Sequence, residues 1–317
     1  MYTPMNRREL LESVSLIPLA GAAAFGQKPA KRQQALKVSL NAYSFNKLLN
    51  DNIRGRGEGV TLLQLVDFCA KHKFDGIDPT GYFFPGYPER PTDAYVDGLK
   101  KKCSDMGIGI SGTGVRNNFT TADEAVRREG VQHIKEYVEV AARLGAPVVR
   151  VFADTQMRAE NWQSVSKGAT REQVQAWIAD HLKECAAHGK KYGVKIGVQN
   201  HGDFLKTGQE LLDLIKAVGS PFCAPIVDTG YFKSGDPYAD IAMVAPSAVN
   251  WQIKQSTLGE ESEVPTDLKK LMRIVRKSGY SGYLPIETLS PRGKPYDPYT
   301  VVPEFLREFR AAIAATA

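Results

Sequence analysis

The residues able to do chemistry recur at regular intervals, each at or just beyond the end of a short apolar run. Lys195–Val198 leads into Gln199, Asn200 and His201, and Ala224–Val227 into Asp228. Val249–Ile253 carries Gln252 and precedes Lys254, and Tyr283–Ile286 leads into Glu287. Earlier in the chain the same placement yields Asn41 and Tyr43, Asp78, Thr113 and Arg116, Arg150 and Asp154. Such a set supplies donors and acceptors together, which suits a ligand rich in hydroxyls such as a sugar or polyol. His201 adds an imidazole, the side chain that exchanges protons near neutral pH. The other histidines, His72, His133, His181 and His188, fall within helix patterns.

What must gather these positions is an alternation of strand and helix. Between Gln199 and Asp228, Thr207 with Glu210 reads as a capping box, Leu211, Leu214, Ile215 and Val218 make one apolar helix face, and Gly219 ends the helix. Thr61 with Gln64, Thr121 with Glu124, and Thr170 with Gln173 open other helices in the same way. Strands are predicted at 38–45, 74–78, 108–112, 147–152, 195–198, 224–227, 249–253 and 283–286, and a last helix at 303–314. Eight strand–helix repeats in a row predict an α/β fold, a single (β/α)8 TIM barrel over residues 36–317, of a size near the usual ~250 residues. A doubly wound open sheet is the competing architecture, but no G-x-G-x-x-G follows the first strand. In a barrel the carboxyl ends of the strands share one mouth, so the residues above would converge.

Composition narrows the partners. The chain has 317 residues, 43% hydrophobic and 24% charged, with a formal charge of +6 spread over helix faces. That distribution is not the stripe of a nucleic-acid binder. Cys69, Cys103, Cys185 and Cys223 lie in apolar patterns without paired spacing, which predicts buried thiols. Residues 1–30 combine Arg7-Arg8, an apolar run from Val14 to Phe25 and small residues, and read as a twin-arginine-like export signal and linker. The expected location is therefore exported, periplasmic, with no stable membrane span. An amphipathic helix is the plainer alternative.

The stretches VQNH (198–201), IVDTG (226–230), WQIK (251–254) and PIET (285–288) make the chain from about Val38 to Ala312 resemble the xylose isomerase-like barrel family of sugar isomerases and epimerases. The resemblance implies a divalent metal between four strand ends, which here are Gln199, Asp228, Gln252 and Glu287. The family's pattern has Glu, Asp, His and Glu there, so two positions agree and two are amides. Amide and carboxylate oxygens favour Mg²⁺, Mn²⁺ or Ca²⁺ over Zn²⁺, and the loss of two ligands predicts weaker metal binding than the family's or none. The family's two-glutamate proton relay is also broken at Gln199.

Three catalytic candidates follow: Glu287 as ligand or base, His201 as proton carrier, and Lys254 as the cation beside a sugar carbonyl. Tyr43, Asp78, Arg150, Trp162 and Asn200 are expected to bind substrate, Trp162 from the long connection 154–168. The segment YFFPGY, 82–87, offers aromatic faces to a sugar or to another subunit, so an oligomer is compatible with the sequence. The expected partner is a small-molecule sugar or keto-sugar. The activity expected is isomerase or epimerase-like, with keto-sugar lyase or hydratase chemistry, or silent sugar binding, as alternatives. An abasic-site endonuclease would need a His-rich zinc site, and His201 stands alone at the mouth.

Overall fold

The computed structural model describes residues 36–155, 161–259, 262–289 and 295–317. The predicted export signal and residues 156–160 of the long connection lie outside them. Among the described residues there are eleven strands: β1 (Lys37–Asn41), β2 (Gly76–Asp78), β3 (Gly109–Ile110), β4 (Thr113–Gly114), β5 (Val148–Phe152), β6 (Lys195–Gln199), β7 (Cys223–Asp228), β8 (Asn250–Lys254), β9 (Ser256–Gly259), β10 (Ser262–Pro265) and β11 (Tyr283–Glu287). Nine form one parallel sheet in the order β3-β2-β1-β11-β8-β7-β6-β5-β4. Its two edges, β3 and β4, are halves of a single segment: β3 pairs with β2 and β4 with β5. The segment therefore joins both edges and closes eight strand positions into a TIM barrel. Its break falls at Gly112, where a Cβ would stand 2.8 Å from Asn250 Nδ2 and 3.0 Å from Val148 Cγ1.

Local signals explain the boundaries. The capping boxes of Thr61, Thr170 and Thr207 all form, and Gly145, Gly193 and Gly219 end their helices in the left-handed conformation. The expected fourth box does not form. Asp123, not Thr121, caps the helix Glu124–Leu144 by accepting from Ala125 N at 2.9 Å, because a carboxylate already stands at the positive helix end. The last helix starts at Pro298 rather than Pro303, since Asp297 followed by proline is the stronger start. The first strand stops at Asn41 instead of reaching Phe45. The Asn41 side chain accepts from Tyr43 N at 2.8 Å and turns the chain into a short 3-10 helix, Ala42–Phe45. The antiparallel hairpin β9–β10 after β8 was not foreseen.

Leu40, Ile77, Val151, Val198, Ile226, Ile253 and Ile286 are buried along the strands, against helix residues such as Leu65, Ile178, Leu214 and Leu271. The four cysteines are buried and free, as expected. Parallel register sets the strand ends level: Asn41 with Asp78, Asp228 with Gln252, and Glu287 with Lys254. Among the described residues no helix is long and apolar enough to cross a membrane.

Candidate functional site

The mouth at the carboxyl ends of the strands holds an inner recess of about 80 Å³, lined by Tyr43, Tyr82, Arg116, Arg150, Phe152, Gln199, His201, Tyr231 and Glu287. It opens into an outer cleft of about 680 Å³ that shares Tyr43, Arg116 and His201 and adds mostly polar residues, among them Arg54, Asp154, Asp203 and Lys233. Pockets of this combined size, with convergent polar groups, are the usual form of small-molecule sites.

Beneath the recess lies a buried charge cluster. Lys254 Nζ donates to Glu287 Oε1 and lies 3.4 Å from Asp228 Oδ2. Gln199 Nε2 donates to the same Asp228 oxygen at 2.5 Å, and Gly230 N to Asp228 Oδ1 at 2.9 Å. Burial pushes the Asp228 carboxyl above its ordinary range, outweighing the pull of Lys254, and the nearby Glu287 charge adds to it. Burial alone would lower the Lys254 ammonium, but Asp228 and Glu287 together hold it raised, so it stays charged. The amide of Gln199 has only one sensible orientation, because its oxygen would repel a carboxylate. Gln199 Oε1 is thereby left as a buried acceptor with no partner among the described residues.

Two further clusters stand on the wall. Arg150, fully buried, donates to Tyr82 OH at 3.0 Å and lies 3.4 Å from both Asp78 Oδ2 and Thr80 Oγ1. Burial would lower the guanidinium, but Tyr82, Asp78 and Glu287 keep it raised, and Asp78 itself is pushed upward by burial. The Tyr82 phenol is pushed up to about 12 by burial, so it keeps its proton. Since it accepts from Arg150, that proton is free to be donated into the recess. Opposite, His201 Nδ1 meets Asp154 Oδ2 at 3.1 Å, with the ring against Tyr231 at 4.2 Å. A carboxylate at Nδ1 favours the tautomer with its hydrogen there, leaving Nε2 as the ring nitrogen not engaged by Asp154.

The predicted residues thus separate. Glu287, His201, Tyr43, Arg150 and Gln199 reach the recess together. Lys254 does not line it, lying behind Glu287 and under the Tyr231 ring at 5.3 Å. Asp78 likewise does not line the recess and is paired with Arg150. Asn200 is a correction: its side chain pairs reciprocally with the Asp228 backbone, at 2.9 and 2.8 Å, and ties β6 to β7 instead of touching the recess. Trp162 is another, packed edge-on against Phe204 at 5.4 Å with Arg171 over its ring, outside both cavities. Tyr82, from the aromatic segment expected to face a sugar or another subunit, also reaches the recess, as does Phe152, which was not expected there. The aromatic segment 82–87 was the signal for Tyr82, whereas nothing polar marked Phe152.

The four positions expected to hold a divalent metal do not fit one. Asp228 accepts from Gln199 and is ion-paired with Lys254, Glu287 accepts from Lys254, and Gln252 Oε1 accepts from Asn41 Nδ2 at 2.5 Å. The ammonium stands between the only two carboxylates of the set. Among the described residues no three His, Cys, Asp or Glu side chains converge as a ligand set.

A closed (β/α)8 barrel with a polar recess at the carboxyl ends of its strands places the chain among TIM-barrel proteins. The match of residues 66–309 to the xylose isomerase-like TIM barrel model makes the family definite: the chain belongs to it. No curated protein matches the chain. Solved structures do. The chain is similar to apo 3-keto-D-glucoside 4-epimerase from E. coli (14% identity, TM-score 0.65, covering 88% of this chain and 99% of that one). It is similar also to D-psicose 3-epimerase crystallised with D-fructose (16%, 0.69, 87% and 99%). A third likeness is to the IolI protein with a zinc atom (16%, 0.65, 88% and 97%). At these identities the likeness is one of fold.

Proposed function

We propose that the chain is a sugar isomerase or epimerase-type enzyme that moves a proton at the carbon beside a sugar carbonyl. The observation that carries this reading is that Glu287 and His201, on strand positions three apart round the barrel, face one recess with Tyr82 backed by Arg150. Glu287 takes the proton; the C–H electrons form the double bond of an enediolate, and the carbonyl electrons move to oxygen. Tyr82 donates its hydroxyl hydrogen to that oxygen, with the guanidinium behind it stabilising the developing charge. His201, protonated at Nε2 and held by Asp154, returns a proton to carbon, and the carbonyl reforms. Gln199 Oε1 accepts from a sugar hydroxyl. Names of the structural neighbours, two of them sugar epimerases, support this substrate class.

Elimination from a keto-sugar is a second reading, favoured by Gln199 standing where a second glutamate would be needed for a two-glutamate epimerase. There Glu287 removes the proton beside the carbonyl, the C–O bond one carbon further breaks, and His201 protonates the leaving oxygen. Incubating the protein with ketohexoses and 3-keto-glucosides in D₂O separates the two by NMR. An epimer or isomer carrying one solvent deuteron is expected. An unsaturated product assigns the elimination reading, and tight sugar binding without exchange or product overturns both. The sequence of residues 1–30 supports export as part of the same proposal. Lysine at Arg7 and Arg8 should then retain the protein in the cytoplasm on fractionation.

A further inference from the structure

The position of Lys254 makes sense of the mismatch with a metal. It lies on β8, between β7, which ends in Asp228, and β11, which ends in Glu287. Its ammonium touches both carboxylates and is 3% exposed as a residue. A divalent cation bridging those carboxylates would occupy the same space. Adding one while the ammonium remains would place three positive charges beside two negative ones in a dry site, where like charges repel strongly.

The chain is also shaped to keep the lysine there. A Cβ at Gly230 would stand 2.7 Å from Lys254 Cγ, so the stem lies where only glycine leaves room. Thr229 Oγ1 accepts from Lys254 N at 2.9 Å, and Thr266 Oγ1 donates to Lys254 O at 2.8 Å. Gln199, with its NH₂ turned to Asp228, adds a donor where a ligand oxygen would be required.

We propose that Lys254 is a built-in monovalent replacement for a bridging metal ion, which holds Asp228 and Glu287 in register and excludes divalent cations from this site. It is a positioning residue: Glu287 meets the ligand, and Lys254 fixes where Glu287 stands. The inference concerns the same mouth as the proton-transfer reading but needs no sugar for its test, so the two fail separately.

The test is titration of the purified full chain with Mn²⁺ alone, following free Mn²⁺ by electron paramagnetic resonance. The wild type should leave the free signal undiminished. Lys254→Ala, which frees both carboxylates, should bind one Mn²⁺ per chain at least about ten-fold more tightly than wild type, the hard-cation preference of two freed carboxylates. Lys254→Gln, polar and of similar length, serves where the alanine variant does not fold, with melting followed by circular dichroism. A wild-type chain that takes up one Mn²⁺ overturns the proposal without any variant. So does a folded Lys254 variant whose Mn²⁺ affinity equals that of wild type.

Discussion

The buried trio Lys254–Asp228–Glu287 and the pair His201–Asp154 lie within one mouth yet are built on different terms. Side-chain exposure is 4% for Lys254 and 0% for Asp228, against 32% for His201. Dry ions interact strongly but must be fully partnered, so Lys254 and Asp228 fix geometry, and Glu287 is the one member of the trio that also lines the recess. The half-exposed imidazole reaches solvent, as a group that must lose and regain a proton requires. One cluster holds a carboxylate in place at the recess; the other sets an imidazole where solvent can reach it.

Substitutions should separate the two. Lys254→Met leaves two buried carboxylates without their cation, and should cost about 3–5 kcal/mol of stability in chemical denaturation as well as proton exchange. His201→Asn should slow solvent-proton exchange into a responsive sugar by about 100-fold or more while changing stability by less than about 1 kcal/mol. Equal stability losses in both would erase the distinction. Gly230→Ala puts a methyl 2.7 Å from Lys254 Cγ and should destabilise by about 1–3 kcal/mol through overpacking, seen as a lower melting temperature.

The smallest effect lies away from the mouth and serves as a reference. Burial holds His133 below the ordinary imidazole range, with Glu136 and Glu89 pulling the other way, while Tyr87 and Tyr137 pack on its ring. The unfolded chain then binds this proton more readily, so the stability present above the ordinary pKa of about 6.5 is lost as pH falls below it. His133→Phe should flatten the decline in melting temperature from about pH 7 to about pH 5. A decline of unchanged slope assigns the acid sensitivity elsewhere.

Much of this was legible in order of residues. Apolar runs of strand length, threonine caps and terminal glycines specify the barrel, and its parallel register then pairs Asp228 with Gln252 and Glu287 with Lys254 at the mouth. Depth was not legible. Gln252 and Lys254 are two apart and so share a face, but nothing in that spacing says the ammonium ends behind Glu287 instead of in the open. Asn200 was readable in hindsight: as the neighbour of Gln199 it must point to the opposite face of the strand. Trp162 was not, because its place depends on Phe204 and Arg171 meeting it across loops without period. Tyr82 sits in a short 3-10 helix, Gly81–Phe83, and its partnership with Arg150 is a tertiary fact.

The central claim is that Glu287, held by Lys254 and facing His201, moves a proton beside a sugar carbonyl without needing a bound metal. The measurement is deuterium incorporation, by NMR in D₂O, into a panel of ketohexoses and 3-keto-glucosides by chelator-treated, metal-analysed protein. The account predicts that exchange at the carbon beside the carbonyl persists after chelation and vanishes in Glu287→Gln. Exchange that appears only when a divalent metal is added back, or that survives in Glu287→Gln, would contradict it.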